Sequence, residues 1–346
     1  MPSILVVGGR GFLGSRAMRA LQRRGIDVAI GGRRGPVSID LNRPATFAVL
    51  DSLPGLRVVV DVSSSHQASP VELARHCLDR GLVLLEASSD RRVVDALLAL
   101  DGTCKPGAVV LGAGIFTGLS NLLAAEAVRC RSDATHLEVG VRSSPFSGGG
   151  GGTVDLMADL LAVPSMEVND GELVEGPSVT AGRHLPFPSG GHATLTVAFP
   201  EPRMLFRSTG IPNIAMSMAP KPGWLRRIFL ATPGVVLRSR AFAAYLRWLF
   251  GGLRRLVLAR RPTQVELIAR VSGPSGTTVL RLVSTDGMAS GGVAIAAIAE
   301  LLVRATVRGV LTVDQVMSLR NVCEVMKALD PPSTPHVSLD AGDRPV

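Results

Sequence analysis

The chain has 346 residues, 46% hydrophobic and 19% charged, enough for two domains with buried cores, and this composition excludes a mainly disordered protein. Its net charge of +9 sits in one segment: Lys221 to Arg261 carries ten basic residues and no acidic one, leaving 27 basic against 28 acidic residues elsewhere, so a general nucleic-acid-binding surface is not expected. Cys77, Cys104, Cys130 and Cys323 lie far apart without C-x-x-C spacing or a preceding secretory signal, and the six histidines show no zinc-ligand pattern; reduced thiols, a cytoplasmic setting and no metal site are expected.

Ser3 to Val7 is an apolar run without alternation, as in a central parallel strand buried on both faces. It leads into "VVGGRGFLGSRAMRALQRRG" (Val6 to Gly25), whose glycines fit two registers, Gly9-x-Gly11-x-x-Gly14 and Gly8-x-x-Gly11-x-x-Gly14. The first is the dinucleotide-binding spacing, in which Gly9 makes the tight turn, Gly11 admits a pyrophosphate and Gly14 lets the helix pack closely. The second belongs to short-chain dehydrogenases, which need a tyrosine with a lysine four residues later. Here the single tyrosine, Tyr245, is followed at that distance by Leu249, and Lys105, Lys221 and Lys327 are the only lysines, so that mechanism is excluded. Ser15 to Arg24 has helical spacing, and Asp27 to Ile30 reads as the second strand. "IGGRRG" then places Arg33 and Arg34 where an NAD-binding unit has a carboxylate; no Asp or Glu stands between Val28 and Gly35, which favours NADP, the alternative being two arginines that solvate a turn.

Further strands are expected at Val58 to Val62, Val83 to Glu86 and Val109 to Gly112, alternating with helices at Pro70 to Arg80 and Arg91 to Leu100. This grammar means a Rossmann-type doubly wound parallel sheet, an α/β class assignment, over residues 1–120. Beyond it, His136 to Val141, "HATLTVAF" (His192 to Phe199), "VELIARV" and "TTVLRLVS" (Val265 to Val271, Thr277 to Ser284) read as strands of a second, α+β domain over 121–286. The apolar helix Val293 to Ala305 and the stretch Val313 to Leu329 are expected to return to the first domain within 287–330, ahead of a frayed Pro-rich tail, 331–346.

Several segments resemble the saccharopine dehydrogenase-like family of NAD(P)-dependent oxidoreductases, and the match spans most of the chain. "VVVDVSSSHQ" takes the place of that family's fourth-strand cofactor loop, and "ARHCLDRGLVLLEASSD" is similar to a segment in which Cys77 and Gly81 align. "LGAGIFTGLSNLL" (Leu111 to Leu123) resembles the crossover into the second domain, "SGGGGGT" (Ser147 to Thr153) its Ser-Gly-Gly-Thr loop, and "STDGMASGG" the entry to the returning helix. The resemblance implies hydride transfer between NADPH and a substrate held beside the Rossmann domain. Where the family often has His-Tyr-x-Asp this chain has Val83, Leu84, Leu85 and Glu86, and where it often has Asp-x-Tyr this chain has Asp286, Gly287 and Met288; the exchange points from a charged amino-dicarboxylate toward a less polar, lipophilic substrate.

The expected cofactor-binding residues are Gly9, Arg10, Gly11, Phe12, Leu13, Gly14, Arg33, Arg34, Asp40, Ser63, Ser64 and Gly114, and the catalytic candidates are His66 and Glu86. His66 follows the strand ending in "DVSSS", at the sheet edge where such folds keep their cleft; the alternative is a surface or core histidine. Glu86 and Asp90 follow the next strand, where either could instead cap the helix starting near Arg91. Ser147 to Thr153 would offer backbone donors to an anion or form a lid. In "RSRAFAAYLRWLFGGLRRLVLARR", Arg240, Arg247 and Arg254 fall on one stripe of a helix opposite Phe242, Tyr245, Leu246, Leu249, Leu253 and Leu256, with Arg238 intruding and Gly251-Gly252 weakening the middle. That segment suits the surface of an anionic membrane, the cover of a hydrophobic tunnel, or ordinary packing on the second sheet. The reading is an NADP-dependent, homodimeric oxidoreductase acting on a carbonyl, imine or activated alkene, without nucleic acid. The alternatives are a non-catalytic NADP(H)-binding sensor and a membrane-surface scaffold.

Overall fold

Strands covered on both faces need aliphatic side chains on both, and β1 (Ile4–Val7), β4 (Val58–Asp61), β5 (Val83–Glu86) and β6 (Ala108–Leu111) are buried at every position. In the computed structural model, residues 2–63, 68–102, 105–144, 156, 158, 160–253 and 264–340 are described. The chain divides into two compact units, Met1–Leu119 with Ala289–Thr334, and Ser120–Met288 with Pro335–Val346.

The first unit is a parallel sheet in the order β15-β6-β5-β4-β1-β2-β3, with β2 at Val28–Gly32, β3 at Val37–Ser38 and β15 at Gly309–Thr312. Helices α1 (Phe12–Arg23), α2 (Val71–Arg80) and α3 (Arg91–Leu98) connect its strands, and the expected ends move by three residues at most. The chain leaves β1 toward β2 on one side and returns to β4 on the other, so the carboxyl ends of β1 and β4 flank the switch point where such sheets open a crevice.

The second unit is a mixed sheet with an unbroken path β10-β11-β12-β7-β13-β14-β16, with β8 paired to β12 and β9 to β8. Its strands are β7 (His136–Ser143), β8 (Ser165–Asn169), β9 (Glu172–Gly176), β10 (Thr180–Phe187), β11 (Gly190–Thr196), β12 (Asn213–Pro220), β13 (Val265–Gly273), β14 (Gly276–Ser284) and β16 (His336–Asp340). β7 and β12 pair in parallel, while β13 runs antiparallel to both β7 and β14. Leu185, Phe187, Ala219, Ile268 and Val279 form a buried cluster in this unit. Helices α4 (Ser120–Arg129) and α5 (Glu201–Thr209) are tied by a buried bond in which Ser120 Oγ donates to Glu201 Oε1 at 3.0 Å. Three more helices follow, α6 (Trp224–Ala231), α7 (Gly234–Leu237) and α8 (Arg240–Leu253).

One expectation for the C-terminal region changes. The tail was expected to fray after Asp330, but His336–Asp340 adds antiparallel to β14, whose backbone groups would otherwise stand unpaired at the sheet edge. The stretch Val313 to Leu329 is two helices, α10 (Val313–Val316) and α11 (Leu319–Leu329), because Ser318 starts a new helix by accepting from the Asn321 N–H at 3.2 Å. Before them, α9 (Gly287–Arg304) is the one helix among the described residues long and apolar enough to cross a membrane. Burial accounts for its apolarity, since Val293 to Ala299 are core residues.

A buried ion pair on the second sheet gives a stability test. Glu266 is almost completely buried; its Oε1 accepts from Arg142 at 2.9 Å and its Oε2 from the Ser189 N–H and Oγ at 3.0 and 2.8 Å. Removing the cation alone strands a charge in low dielectric, so Arg142→Met should lower unfolding free energy by about 3–5 kcal/mol, and Arg142→Met with Glu266→Met should recover much of the loss. Urea denaturation of the three proteins checks both outcomes.

Candidate functional site

The structure resolves the two glycine registers by using both. Gly8 takes φ +81°, which a side chain rarely tolerates, donates its N–H to Gly31 O at 3.1 Å, and lies so close to β4 that a Cβ would stand 3.0 Å from Ser63 N. The tight-turn role expected of Gly9 therefore falls to Gly8. Gly9 is confined by packing, its missing Cβ facing Val6 O at 3.1 Å and Ile30 Cγ2 at 3.2 Å. Gly11, shared by both registers, is the exposed N-cap of α1, and a Cβ on buried Gly14 would collide with the Gly8 carbonyl oxygen.

No side chain caps α1 and no acidic residue lies in its first turn, although the helix starts at the switch point. Its first N–H groups and the positive end of its dipole thus form an anion cradle over Gly11, Phe12, Leu13 and Gly14. Arg16 braces this turn, its guanidinium 3.8 Å over the Phe12 ring and its Nη1 donating to Phe12 O at 3.0 Å. Arg10 Nη1 reaches across to donate to Arg34 O at 2.8 Å, linking the glycine turn to the turn after β2, where Arg33 and Arg34 are exposed. Positive charge from three guanidiniums therefore gathers where the sequence has no carboxylate. Asp40 serves its own turn, with Oδ1 accepting from the Asn42 N–H at 3.1 Å and Oδ2 3.9 Å from Arg43 Nε.

The carboxyl ends of β4 and β5 bring Asp61 and Glu86 side by side, because the parallel register pairs these two residues. Both are buried. Asp61 Oδ1 accepts from the Ser63 N–H at 2.8 Å, and the Ser63 hydroxyl also donates to that carboxylate. Glu86 Oε1 accepts from the Ser88 N–H at 3.0 Å, and its buried Oε2 has no hydrogen-bond partner among the described residues. Burial raises the pKa of both groups, and the Asp61 charge pushes Glu86 well above the usual carboxylate range. The Ser63 donors offset part of the shift at Asp61, while at Glu86 the neighbouring Asp61 charge adds to the effect of burial. Burial and the same Asp61 charge keep the nearby Cys77 thiol protonated.

Asp90 and Glu86, equivalent as helix caps in sequence, separate here. Asp90 caps α3 by accepting from the Arg92 N–H at 2.9 Å, which leaves Glu86 to the pair. The aliphatic residues Val83, Leu84 and Leu85 are buried inside β5, so their exchange for polar residues reflects the core of a parallel strand rather than a less polar cleft. Gly114 is buried and its carbonyl accepts from the Leu119 N–H at 2.8 Å, yet a Cβ there would meet only Phe116 O at 3.7 Å. The backbone constraint in this crossover lies instead at Gly112, φ +96°, and at buried Thr117, φ +58°, which the sequence reading missed. A β-branched residue in left-handed backbone costs about 1–3 kcal/mol and persists where its surroundings fix it. Thr117 Oγ1 donates to Phe116 O at 2.6 Å and lies 3.5 Å from Ser89 Oγ, joining the loops after β5 and β6. His66, Ser64 and Ser147 to Thr153 lie outside the described residues.

The chain matches no family model and no curated protein. Solved structures similar to it include the WlbA (WbpB) dehydrogenase from Thermus thermophilus in complex with NAD and UDP-GlcNAcA, at 14% identity and a TM-score of 0.39 over 95% of this chain and 94% of that one. A dipicolinate-bound dihydrodipicolinate reductase from Paenisporosarcina sp. TG-14 is similar at 11% identity and a TM-score of 0.40, over 90% of this chain and 97% of that one. A probable dehydrogenase from Thermotoga maritima is similar at 11% identity and a TM-score of 0.43, over 94% of each chain. None of the three is a saccharopine dehydrogenase, so the resemblance to that family gains no support from them. The chemistry of the site is therefore argued from its own residues.

The raised Glu86 carboxyl has a pH signature. A carboxyl whose pKa is higher in the folded than in the unfolded chain binds more protons when folded, so stability falls as pH rises from the unfolded value, ~4.3, toward the folded one. Wild-type protein should therefore lose stability across this window by up to about 1.4 kcal/mol per pH unit relative to Glu86→Gln, which does not titrate. Thermal unfolding from pH 5 to pH 8 measures the difference, and parallel profiles for the two proteins would contradict the raised pKa.

Proposed function

We propose that the cradle at the start of α1 binds the diphosphate of a nicotinamide dinucleotide, that Arg10, Arg33 and Arg34 select NADP over NAD, and that the chain is an oxidoreductase. The carrying observation is an uncapped helix start packed against Gly8 at the switch point, with guanidiniums and no carboxylate where the second strand ends. The residues fit the coenzyme: Gly11 leaves the amide face open, and the first turn has no acidic group to repel an anion.

When bound, the coenzyme supplies or accepts the hydride. The chain holds and orients it, and Glu86, whose carboxyl burial and the Asp61 charge push well above the usual range, lies beside the same sheet edge. The motif order shared with saccharopine dehydrogenase-like oxidoreductases supports hydride transfer to a carbonyl, imine or activated alkene. With Val83 to Leu85 assigned to the strand core, Gly287 and Met288 are what still favour a less polar substrate. A second reading, coenzyme binding without turnover, draws on the same pair, because Glu86 is almost completely buried.

Calorimetric titration with NADPH and NADH tests the assignment. NADPH should bind more tightly, and Arg33→Ala with Arg34→Ala should weaken NADPH by roughly 10- to 100-fold with little effect on NADH, as expected when charge-assisted bonds to one phosphate are lost. A preference for NADH, or unchanged NADPH affinity in the variant, would overturn it. NADPH bound stoichiometrically but not consumed across a carbonyl, imine and enoyl panel would select the second reading.

A further inference from the structure

The segment holding the excess charge also holds the most exposed large apolar side chains among the described residues. Helices α6, α7 and α8 fix themselves inward through buried Leu225, Phe229, Leu237 and Leu246. Arg226 Nε donates to Thr194 O at 2.9 Å and Arg238 Nε to Ser178 Oγ at 3.2 Å, which fastens the helices to their own unit. Ordinary packing on the second sheet explains those residues and no more.

On the other faces, Val235 is 80% exposed, Trp248 72%, Trp224 55% and Tyr245 51%, with Ile228, Leu230 and Val236 also exposed. Phe242, Tyr245 and Trp248 follow one another at helical spacing, with ring centroids 6.4 and 6.2 Å apart, and make an aromatic ridge along α8. The chain has only two tryptophans and one tyrosine, and all three lie here, half exposed or more. A run of exposed apolar side chains this rich in Trp and Tyr marks an interaction surface. Ten basic residues without an acidic one between Lys221 and Arg261 give the segment a charge that favours a negatively charged partner.

We infer that α6 to α8 seat this protein on the headgroup region of an anionic lipid bilayer, the indole and phenol rings entering the interface and the arginines meeting lipid phosphates. Trp and Tyr favour that depth because each joins an apolar ring to a polar group, and Arg and Lys add attraction to an anionic leaflet. α8 has 14 residues with Arg240 at its start and Arg247 at its middle, too short to span a bilayer, which favours a surface position. A nucleic acid would also meet the charge, but exposed Val235, Val236, Ile228 and Leu230 offer its bases and phosphates nothing to pair with.

Because both tryptophans lie on this surface, the unmodified full chain reports its own docking. Vesicles of mixed phosphatidylglycerol and phosphatidylcholine should shift tryptophan emission to the blue and co-float the protein on the order of tenfold more than phosphatidylcholine alone, with the gain lost at high salt. Trp224→Ser with Trp248→Ser should lose flotation while keeping NADPH affinity, which separates this surface from the coenzyme reading. No shift with anionic vesicles, or equal binding to neutral ones, would overturn the inference. So would a blue shift that follows protein concentration without lipid, which would show a second copy covering the surface, or one that follows a single-stranded oligonucleotide in preference to vesicles.

Discussion

The contact of Gly14 with the Gly8 carbonyl is the constraint from which the candidate site follows. It lets α1 begin directly above the end of a buried strand, so the helix amides open at the one place where the parallel sheet reverses its winding. A side chain at position 14 would push the helix away from the turn, and with it the first-turn amides and the Arg10 link to Arg34. The positive φ at Gly8 serves the same end from the strand side, since the turn must pass close to β4 at Ser63 to close.

Asp61 and Glu86 show how strand register can create chemistry that neither residue has alone. Each ends a buried strand, and pairing brings two buried carboxyls to neighbouring positions, where burial raises the pKa of both and the Asp61 charge adds to the effect at Glu86. The Ser63 and Ser88 N–H groups satisfy Asp61 Oδ1 and Glu86 Oε1, and Glu86 Oε2 is left without a partner among the described residues.

The first unit was legible because its strands are aliphatic on both faces and its helices amphipathic, so the alternation of "ILVV", "VVVD", "VLLE" and "AVVL" with helical runs fixes order and approximate ends. β3 escaped because two residues carry no periodicity, and β16 because "HVSLD" follows a proline-rich run and owes its form to the open edge of β14. In the site, sequence named Gly11, Gly14, Arg10 and Glu86, but it gave the turn to Gly9 instead of Gly8, since both fit the spacing and only φ distinguishes them. Asp61 was missed as a partner because it reads as the end of a strand. The pairing of β4 with β5 is a long-range fact, and "VVVD" beside "VLLE" was the available signal. Thr117 left no signal, because its left-handed backbone is imposed by the loop around it.

The proposed diphosphate site is the amides at the start of α1, and hydrogen exchange reads those amides directly. With NADPH present, exchange should slow across residues 8–15 and at the turn holding Arg33 and Arg34, with smaller changes elsewhere in the first unit. Unchanged exchange over residues 8–15 at saturating NADPH would contradict the account, whatever affinity were measured.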